Sequence, residues 1–506
     1  MKVEAGHFPQ LPVVQGGAVS PGILGLSWPL VLGIAALFVP VCRLLGFQDP
    51  DPYWQVRVGE WMLDHHRFLT WDIYSYTIPG APAPTQEWGS EIVVAVVYRL
   101  TGWLGLVLFA DALLALTVAQ VARFLLRRLE PLYAVTLACL AGAMLMPMLA
   151  PRPHAIVWPL IAVWVATLVE TAEARRSPPW WLLGVMCLWA NLHGSFMLGL
   201  VLIVPFALEA VLAARRTLSQ AQYRKVVKRW AFFAVAAVLS TLLNPGGYHA
   251  LLFPFHMLGM KPLLAILGEW RSPDFGQPQV LAVWLLALLA LALSGRLKLP
   301  FIRGALLLGL LYMSLQHQRN ISLLGLISPF ILAGPLAAQS AATGTDENVL
   351  DRTFRALARP ASWYTVAIAV IGSTVAAVTI LRSAHLEPVR YAPVRAVDAL
   401  LESGSHGPLL NDYNFGGYLI FRGIPVYVDG RGDMYGGKFV SDTFEIMNLE
   451  RPGFEELLEK QHIQSTLLAV DTAAVRLLDR LPGWTRLYSD DVAVVHVRNE
   501  RVARRQ

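Results

Sequence analysis

Residues 46–91 read GFQDPDPYWQVRVGEWMLDHHRFLTWDIYSYTIPGAPAPTQEWGSE, and this stretch decides how the rest of the chain is read. Long apolar runs flank it, yet it carries Asp49, Asp51, Glu60, Asp64, Asp72, Glu87 and Glu91 together with Arg57, His65 and His66. Loops of this length without a role are uncommon. Two carboxylates at its start, beside the end of an apolar run, mark it as the expected site of chemistry.

Around that loop the composition excludes an ordinary soluble protein: 506 residues, 55% hydrophobic and only 15% charged, with a mean hydropathy of +0.50. About eleven membrane helices are expected, near 22–45, 92–122, 132–150, 154–172, 179–192, 196–214, 230–243, 279–294, 301–316, 320–337 and 361–382. The second contains Gly102 and Gly105 and reads as a short helix followed by a longer one. The fifth and seventh are short for a span. The first run is too long for a cleaved signal peptide and reads as a retained helix. Cys42, Cys139 and Cys187 fall in or beside apolar runs, with neither a disulfide nor a metal-ligand spacing, and read as small buried side chains.

The net charge of +6 fits cytoplasmic Lys and Arg better than nucleic acid, since no basic run is interleaved with stacking aromatics. With the N-terminus cytoplasmic, the inside connections hold Arg123, Arg127, Arg128, Arg175, Arg176, Arg215, Arg216, Arg224, Lys225, Lys228, Arg229, Arg296, Lys298, Arg303, Arg352, Arg355 and Arg359. The outside ones hold chiefly Arg57, Arg67, Arg152, Lys261, Arg271 and Arg319. The loop and the C-terminal region are therefore expected outside.

The outside connections also collect Arg152 and His154, Asn191 and His193, Asn244 and His249, Glu269 and Asp274, and His317 and Arg319. Any one pair could be interfacial snorkelling or a helix cap. Five at one face read as the walls of a polar cavity. From about residue 385 to 498 the pattern changes. Short runs PLLNDY, GGYLIF, PVYVDG, TLLAVD, TRLYSD and VAVVHVR read as strands, with FEELLEKQ and AAVRLLDRL as helices between them. The expected architecture is a polytopic α-helical membrane domain (1–383), a C-terminal extracytoplasmic α/β domain (384–498) and a charged tail (499–506).

Within the loop, Pro50 and Pro52 suggest extended backbone, on which Asp49 and Asp51 would face one cavity. Trp54, Val58, Trp61 and Met62 then follow at helical spacing, as in an amphipathic helix lying at a membrane surface. A purely structural reading of Asp-Pro-Asp-Pro is a helix cap and turn. A carboxylate at head-group depth can deprotonate an acceptor hydroxyl while a lipid phosphate leaves a sugar. Arg57, Arg152 and Arg319, with His154, His193 and His317, are the candidates for holding that phosphate. Glu87, Glu91, Asn191 and Glu269 are candidate cavity walls. Paired aspartates also suit Mg²⁺ or Mn²⁺, although nothing else in the sequence demands a metal. His65 and His66 read as surface residues. In the C-terminal domain, Asp412, Asn414, Asp429 and Arg431, with Asp433, fall at expected strand ends, where α/β domains bind ligands. Arg431-Gly432-Asp433 reads as a turn and not as an adhesion motif.

These features resemble the type C glycosyltransferases (the GT-C superfamily), which include the protein O-mannosyltransferases and the bacterial enzymes that add aminoarabinose to lipid A. The segment DPDPYWQVRVGEWMLDHHRFLTWDIYSYT, followed by QEWGSE, NLHGSF, NPGGYH, EWRSPDF, QRNISL and NDYNFGGYLIF…VYVDGRGDMYG, is similar to a widespread group of bacterial GT-C-like membrane proteins over nearly the whole chain. The resemblance implies a multi-helix enzyme of the bacterial inner membrane. Such an enzyme takes a sugar from a polyprenyl-phosphate donor, inverts at the anomeric carbon and delivers it to an extracytoplasmic glycan, lipid or protein. The catalytic base then maps onto Asp49 or Asp51, with Asp51 preferred for its distance from Met62 and Leu63. The Asp-Glu pair of the mannosyltransferases is not matched. Oligosaccharyltransferase metal and sequon-reading motifs are missing, which argues against transfer of a whole oligosaccharide to Asn. Two other readings stand beside it: a non-catalytic GT-C-like binder of lipid-linked glycan or envelope scaffold, and a transporter. The transporter ranks last because the charges do not continue toward the midplane and no repeat is visible.

Overall fold

A helix start explains the loop. Pro50 is helical (φ −78, ψ −18) and caps α2, Asp51–His65, with Pro52 in its first turn. Proline is well placed there because its missing N–H would have had no helical partner. The extended Asp-Pro-Asp-Pro expected from sequence is therefore wrong: Asp51 is the first helical residue, and its N–H is taken by Asp49 Oδ1 at 2.9 Å. The computed structural model describes residues 25–43, 49–84, 87–295, 297–340, 354–383, 392–405 and 407–499. Residues 46–48, Arg296, Arg352, the expected domain boundary at 383/384 and most of the charged tail lie outside them.

The helical body runs α1 Trp28–Arg43, then α2, α3 Trp88–Leu126, α4 Pro131–Leu145, α5 Pro153–Glu173, α6 Leu182–Leu192, α7 Phe196–Thr217 and α8 Gln220–Thr241. It continues with α9 Tyr248–Gly259, α10 Lys261–Ile266, α11 Val280–Leu293, α12 Phe301–Gln316, α13 Asn320–Ser340 and α14 Trp363–Ser383. Among the described residues six helices are long and apolar enough to cross a membrane: α3, α4 with its 3-10 extension to Met148, α5, α7, α13 and α14. Helices α1, α6, α11 and α12 are apolar but shorter. Helix α3 breaks at Gly102 (φ 66, ψ −164), a left-handed φ that glycine adopts without a Cβ clash. Helix α8 starts ten residues before the expected 230, because Ser219 and Gln222 form a capping box that carries the polar run 220–229 into the same helix.

Buried Trp158, Trp164 and Trp189 anchor the main core. Arg303, expected as a connection charge, is instead 2% exposed inside the body. It lies 2.9 Å from Glu173 and 2.8 Å from Glu209, the pairing that a buried charge requires. Asp111, in α3, is also fully buried, with neither carboxylate oxygen partnered among the described residues. Its place inside α3 stands against the expectation that the charges do not continue toward the midplane. Cys139 is exposed on the cavity described below and not buried.

The C-terminal α/β domain contains α15 Val394–Glu402, β1 Leu409–Asn411, α16 Gly416–Phe421, α17 Gly432–Tyr435, α18 Gly437–Met447, α19 Phe454–Lys460, β2 Ser465–Ala469, α20 Ala473–Leu478, β3 Trp484–Ser489 and β4 Ala493–Arg498. Its sheet runs β1-β2-β4-β3, with β1 parallel to β2 and the other pairs antiparallel. Two expected strands are not strands. GGYLIF is helix α16, whose buried face packs against α2. PVYVDG stays outside the sheet because the buried Asn411 amide ties it down, donating to the Val428 carbonyl (2.7 Å) and accepting from Tyr427 N–H (2.8 Å). Val426 pairs with the loop instead: its N–H donates to Tyr74 and its carbonyl accepts from Tyr76, both at 3.1 Å.

Candidate active site

A cavity of about 1400 Å³ opens between the loop, the helical body and the C-terminal domain. Its apolar part is lined by Leu32, Ala36 and Val39 of α1, Val118 of α3, and Ala138 and Gly142 of α4. Leu32 and Val39 stand seven residues apart, so this apolar lining runs roughly 10 Å along α1 at 1.5 Å per residue. The other end is ionic: Asp49, Asp51, Glu87, Glu91, Arg152, His154, His193, Glu269 and Arg319 line it, with Asn414, Arg431 and Asp433 from the C-terminal domain.

Arg152, the residue capping α5, is the hub. Its Nη1 lies 3.0 Å from Asp49 Oδ2 and 3.7 Å from Glu269 Oε2, while Nη2 donates to Asp51 Oδ2. The second Asp51 oxygen accepts from Trp54 Nε1 at 3.1 Å. Gly430 of the C-terminal domain sits directly over this pair: a Cβ there would come within 2.4 Å of Asp51 Oδ1. Glu269 also accepts from Arg319 Nη1 at 3.1 Å, and the Arg319 guanidinium stacks 4.5 Å from the Trp270 ring centre. Backbone bonds from Gln318 to Arg271 and Arg319 to Glu269 zip the two segments together. On another wall His193 contacts Ser195 Oγ (2.6 Å) and stands 3.7 Å from Glu87, which also accepts from Gly194 N–H.

Burial sets the charge states. It pushes the Asp51 carboxyl up to about 6 even though Arg152 pulls the other way, and Asp49 raises it further. Burial also lifts Glu87 to about 7 and Asp433 to about 6. Glu269 is buried too, but Arg319 and Arg152 outweigh the burial and hold it below the usual carboxylate range. His193 is held well below its ordinary value by burial, with His154 and the arginines adding to it, and so is neutral.

Five expected site residues do not reach the cavity. Arg57 turns to Glu60 at 3.0 Å and is 42% exposed, because its position on α2 faces away from Asp51. The side chain of Asn191 is consumed by Trp88, by Cys187 O and by Leu243 O, which lock α3, α6 and the end of α8 together. His317 supports Trp270 from behind, its Nδ1 2.6 Å from that carbonyl. Asp412 caps the turn at Asn414, and Asp429 grips Arg431. Conversely, Trp54, expected only as part of an amphipathic helix, and Gln55 and Tyr413 line the cavity without having been expected as site residues. Trp54 and Gln55 were findable, since they follow Asp51 by three and four residues on one helix face. Gln55 is 2% exposed and its Oε1 has no partner among the described residues. His65 and His66 are exposed.

The arrangement does not fit Mg²⁺ or Mn²⁺ between the aspartates, because the Arg152 guanidinium fills that space. Among the described residues no three His, Cys, Asp or Glu side chains stand where they could jointly hold a metal ion.

Fold and site define a polytopic helical membrane protein with a cavity shared between its helical body and a C-terminal α/β domain. The fold is GT-C-like. The chain is similar to the Archaeoglobus fulgidus oligosaccharyltransferase in its apo form, with 11% identity, 88% of this chain and 69% of that chain covered, and a TM-score of 0.51. It also matches ArnT from Cupriavidus metallidurans in the apo state, with 15% identity, 92% and 97% coverage and a TM-score of 0.35. The same ArnT bound to undecaprenyl phosphate matches with 13% identity, the same coverage and a TM-score of 0.23. No family model matches the chain, and no curated protein sequence does.

Proposed function

We propose that the protein is an inverting glycosyltransferase that uses a polyprenyl-phosphate sugar and delivers the sugar to an extracytoplasmic glycan, lipid or protein. The cavity carries this reading: one continuous space is ionic beside Arg152 and apolar for roughly 10 Å along α1. That matches a ligand with a phosphate head and an isoprenoid tail. In this reading Asp51 is the general base. It takes the proton of the acceptor hydroxyl as that oxygen bonds to the anomeric carbon. The bond from that carbon to the phosphate oxygen breaks, and the lipid phosphate leaves against Arg319 and Arg152. Asp49 tunes and orients Asp51, and His154 and His193 are neutral donors or acceptors along the path.

The same reading sets the protein in a bacterial inner membrane, with the N-terminus cytoplasmic and residues 384–498 as a periplasmic domain that covers the site. The test is transfer from radiolabelled polyprenyl-phosphate sugars by the full chain in nanodiscs, beside binding of undecaprenyl phosphate. Asp51→Asn should lose transfer and keep lipid binding. Unchanged transfer in Asp51→Asn and in Asp49→Asn would sink the reading. Lipid binding with no turnover from any donor would favour a non-catalytic binder of lipid-linked glycan.

A further inference from the structure

The cavity has two apolar arms that share no helix. The first lies between α1, α3 and α4, with Arg152 at its head. The second is walled by Met197, Leu198 and Val201 of α7 and by Phe253, Met257 and Leu258 of α9. Its head is the turn in NLHGSF, residues 191–196, where His193, Gly194 and Ser195 line the cavity beside Glu87. That turn carries no Lys or Arg. An isoprenoid phosphate fits the first arm, and the second calls for a different ligand.

Both walls of the second arm continue onto the outer surface. Val201 is exposed, and the exposed Val204 and Leu208 follow it at i+3 and i+7 on the same face of α7. Helix α9 is apolar on two sides. Phe253 and Met257 line the cavity, while Tyr248, Leu252 and Phe255 form an exposed row at i, i+4 and i+7. Ala250 is the one buried residue of this helix. An apolar row so exposed is unfavourable in water and suits acyl chains at a membrane interface.

We propose that the second arm is the lateral entry for the acceptor, and that the acceptor is a membrane lipid with an uncharged, hydroxyl-bearing head. Its tail enters from the bilayer between α7 and α9, and its head rests at the turn 193–195. The groups there are a histidine and a hydroxyl beside the Glu87 carboxyl. They exchange hydrogen bonds with hydroxyls and offer no fixed cation to a phosphate. The two lipids thus reach Asp51 from separate arms, and neither has to leave before the other arrives. This deepens the glycosyl-transfer reading and rests on it, but the experiment reads binding alone, so a failure of transfer leaves its outcome untouched.

The experiment uses the full chain in nanodiscs of phosphatidylethanolamine and phosphatidylglycerol, with two probes that carry a photoreactive diazirine in the tail. One is dodecyl β-glucoside and the other an undecaprenyl phosphate analogue, and labelled residues are located by mass spectrometry. The glucoside should label Met197, Phe253 and Met257, and the polyprenyl phosphate should label 32–39 and 138–143. Excess of either unlabelled lipid should leave the labelling by the other unchanged. Val201→Trp, which fills the second arm from an exposed position, should cut glucoside labelling at least about tenfold, as lost burial of two methylenes does. Polyprenyl labelling should persist in that variant. Glucoside labelling at Leu252 and Phe255 alone, as any bilayer lipid would give, overturns the proposal. So does glucoside labelling that undecaprenyl phosphate abolishes, or that Val201→Trp leaves unchanged. The first two of these outcomes need no variant, so they decide the matter even if Val201→Trp fails to fold.

Discussion

At the scale of single residues, Asp51 is set apart from Asp49 by its surroundings. Asp51 is the first residue of a helix, covered by Gly430, with one oxygen on Trp54 and the other on Arg152. Burial raises it to about 6, close to a useful working pH for a base. A base acts only when ionised, so kcat/KM should rise with pH through an acid limb near 6 and level off above it. In Asp49→Asn the neighbouring negative charge that raises Asp51 is gone. The limb of whatever activity remains should then move below 6. Transfer rates between pH 4.5 and 8 would show it, and a limb that stays in place or moves up would assign the titration to another group. The two aspartates, Arg152, Arg319 and the glutamates were legible in sequence because ionisable residues beside apolar runs are rare and conspicuous. Asn191 and His317 were equally conspicuous, yet both are spent on packing. A polar side chain clamping two helices and one facing a ligand look alike until its hydrogen-bond partners are known.

Among elements, the join of α2 to α3 places the carboxylates. Gly59 makes that join: a Cβ there would stand 2.1 Å from the Glu91 carbonyl oxygen and 2.7 Å from Ala95 Cβ. Both helices would have to part, since the first obstacle is backbone. Gly59→Ala should therefore destabilise by about 1–3 kcal/mol, as overpacking does. It should also reduce activity through the displaced Asp51. Thermal unfolding in detergent checks the first effect, and a melting temperature equal to that of the wild type would refute the close join. The described parts of the eleven apolar runs fall on helices, because a run of this length has few alternatives. Helix α8, which carries the seventh, is nevertheless not among the ten helices that are apolar enough to count as long or short spans. The break at Gly102 was also legible. Where the reading failed, tertiary contacts outweighed local pattern. Gly416–Phe421 has a strand-like composition, but it coils into a helix that buries Tyr418 and Leu419 against α2. Residues 425–430 stay out of the sheet because the Asn411 side chain takes the Tyr427 N–H and the Val428 carbonyl, while Val426 bonds to the loop. Helix α8 was misread at its start although Ser219 and Gln222 announced it.

Over the whole molecule, the cavity exists only while the C-terminal domain stays on the loop, and Arg431 holds it there. Its Nη1 lies 2.8 Å from Asp72 of the loop, and its Nη2 lies 2.6 Å from Asp429 of its own domain. The side chain is 6% exposed and stacks 5.3 Å from the centre of the Tyr74 ring. Around this clamp, Tyr76 and Thr77 donate to the carbonyls of Leu409 and Tyr427. Removing the cation strands two buried carboxylates, which typically costs about 3–5 kcal/mol. Because the pair lies between loop and domain, that cost should appear as undocking, with the helical body intact. Arg431→Met should then speed hydrogen exchange at the amides of Tyr76 and Val426, which bond across the join, while α13 keeps its protection. Asp72→Asn added to Arg431→Met should restore part of the protection, since one stranded charge is gone. If exchange at Tyr76 and Val426 is unchanged in Arg431→Met, the apolar contacts alone hold the domain, and the ion pair is incidental to the shape of the cavity.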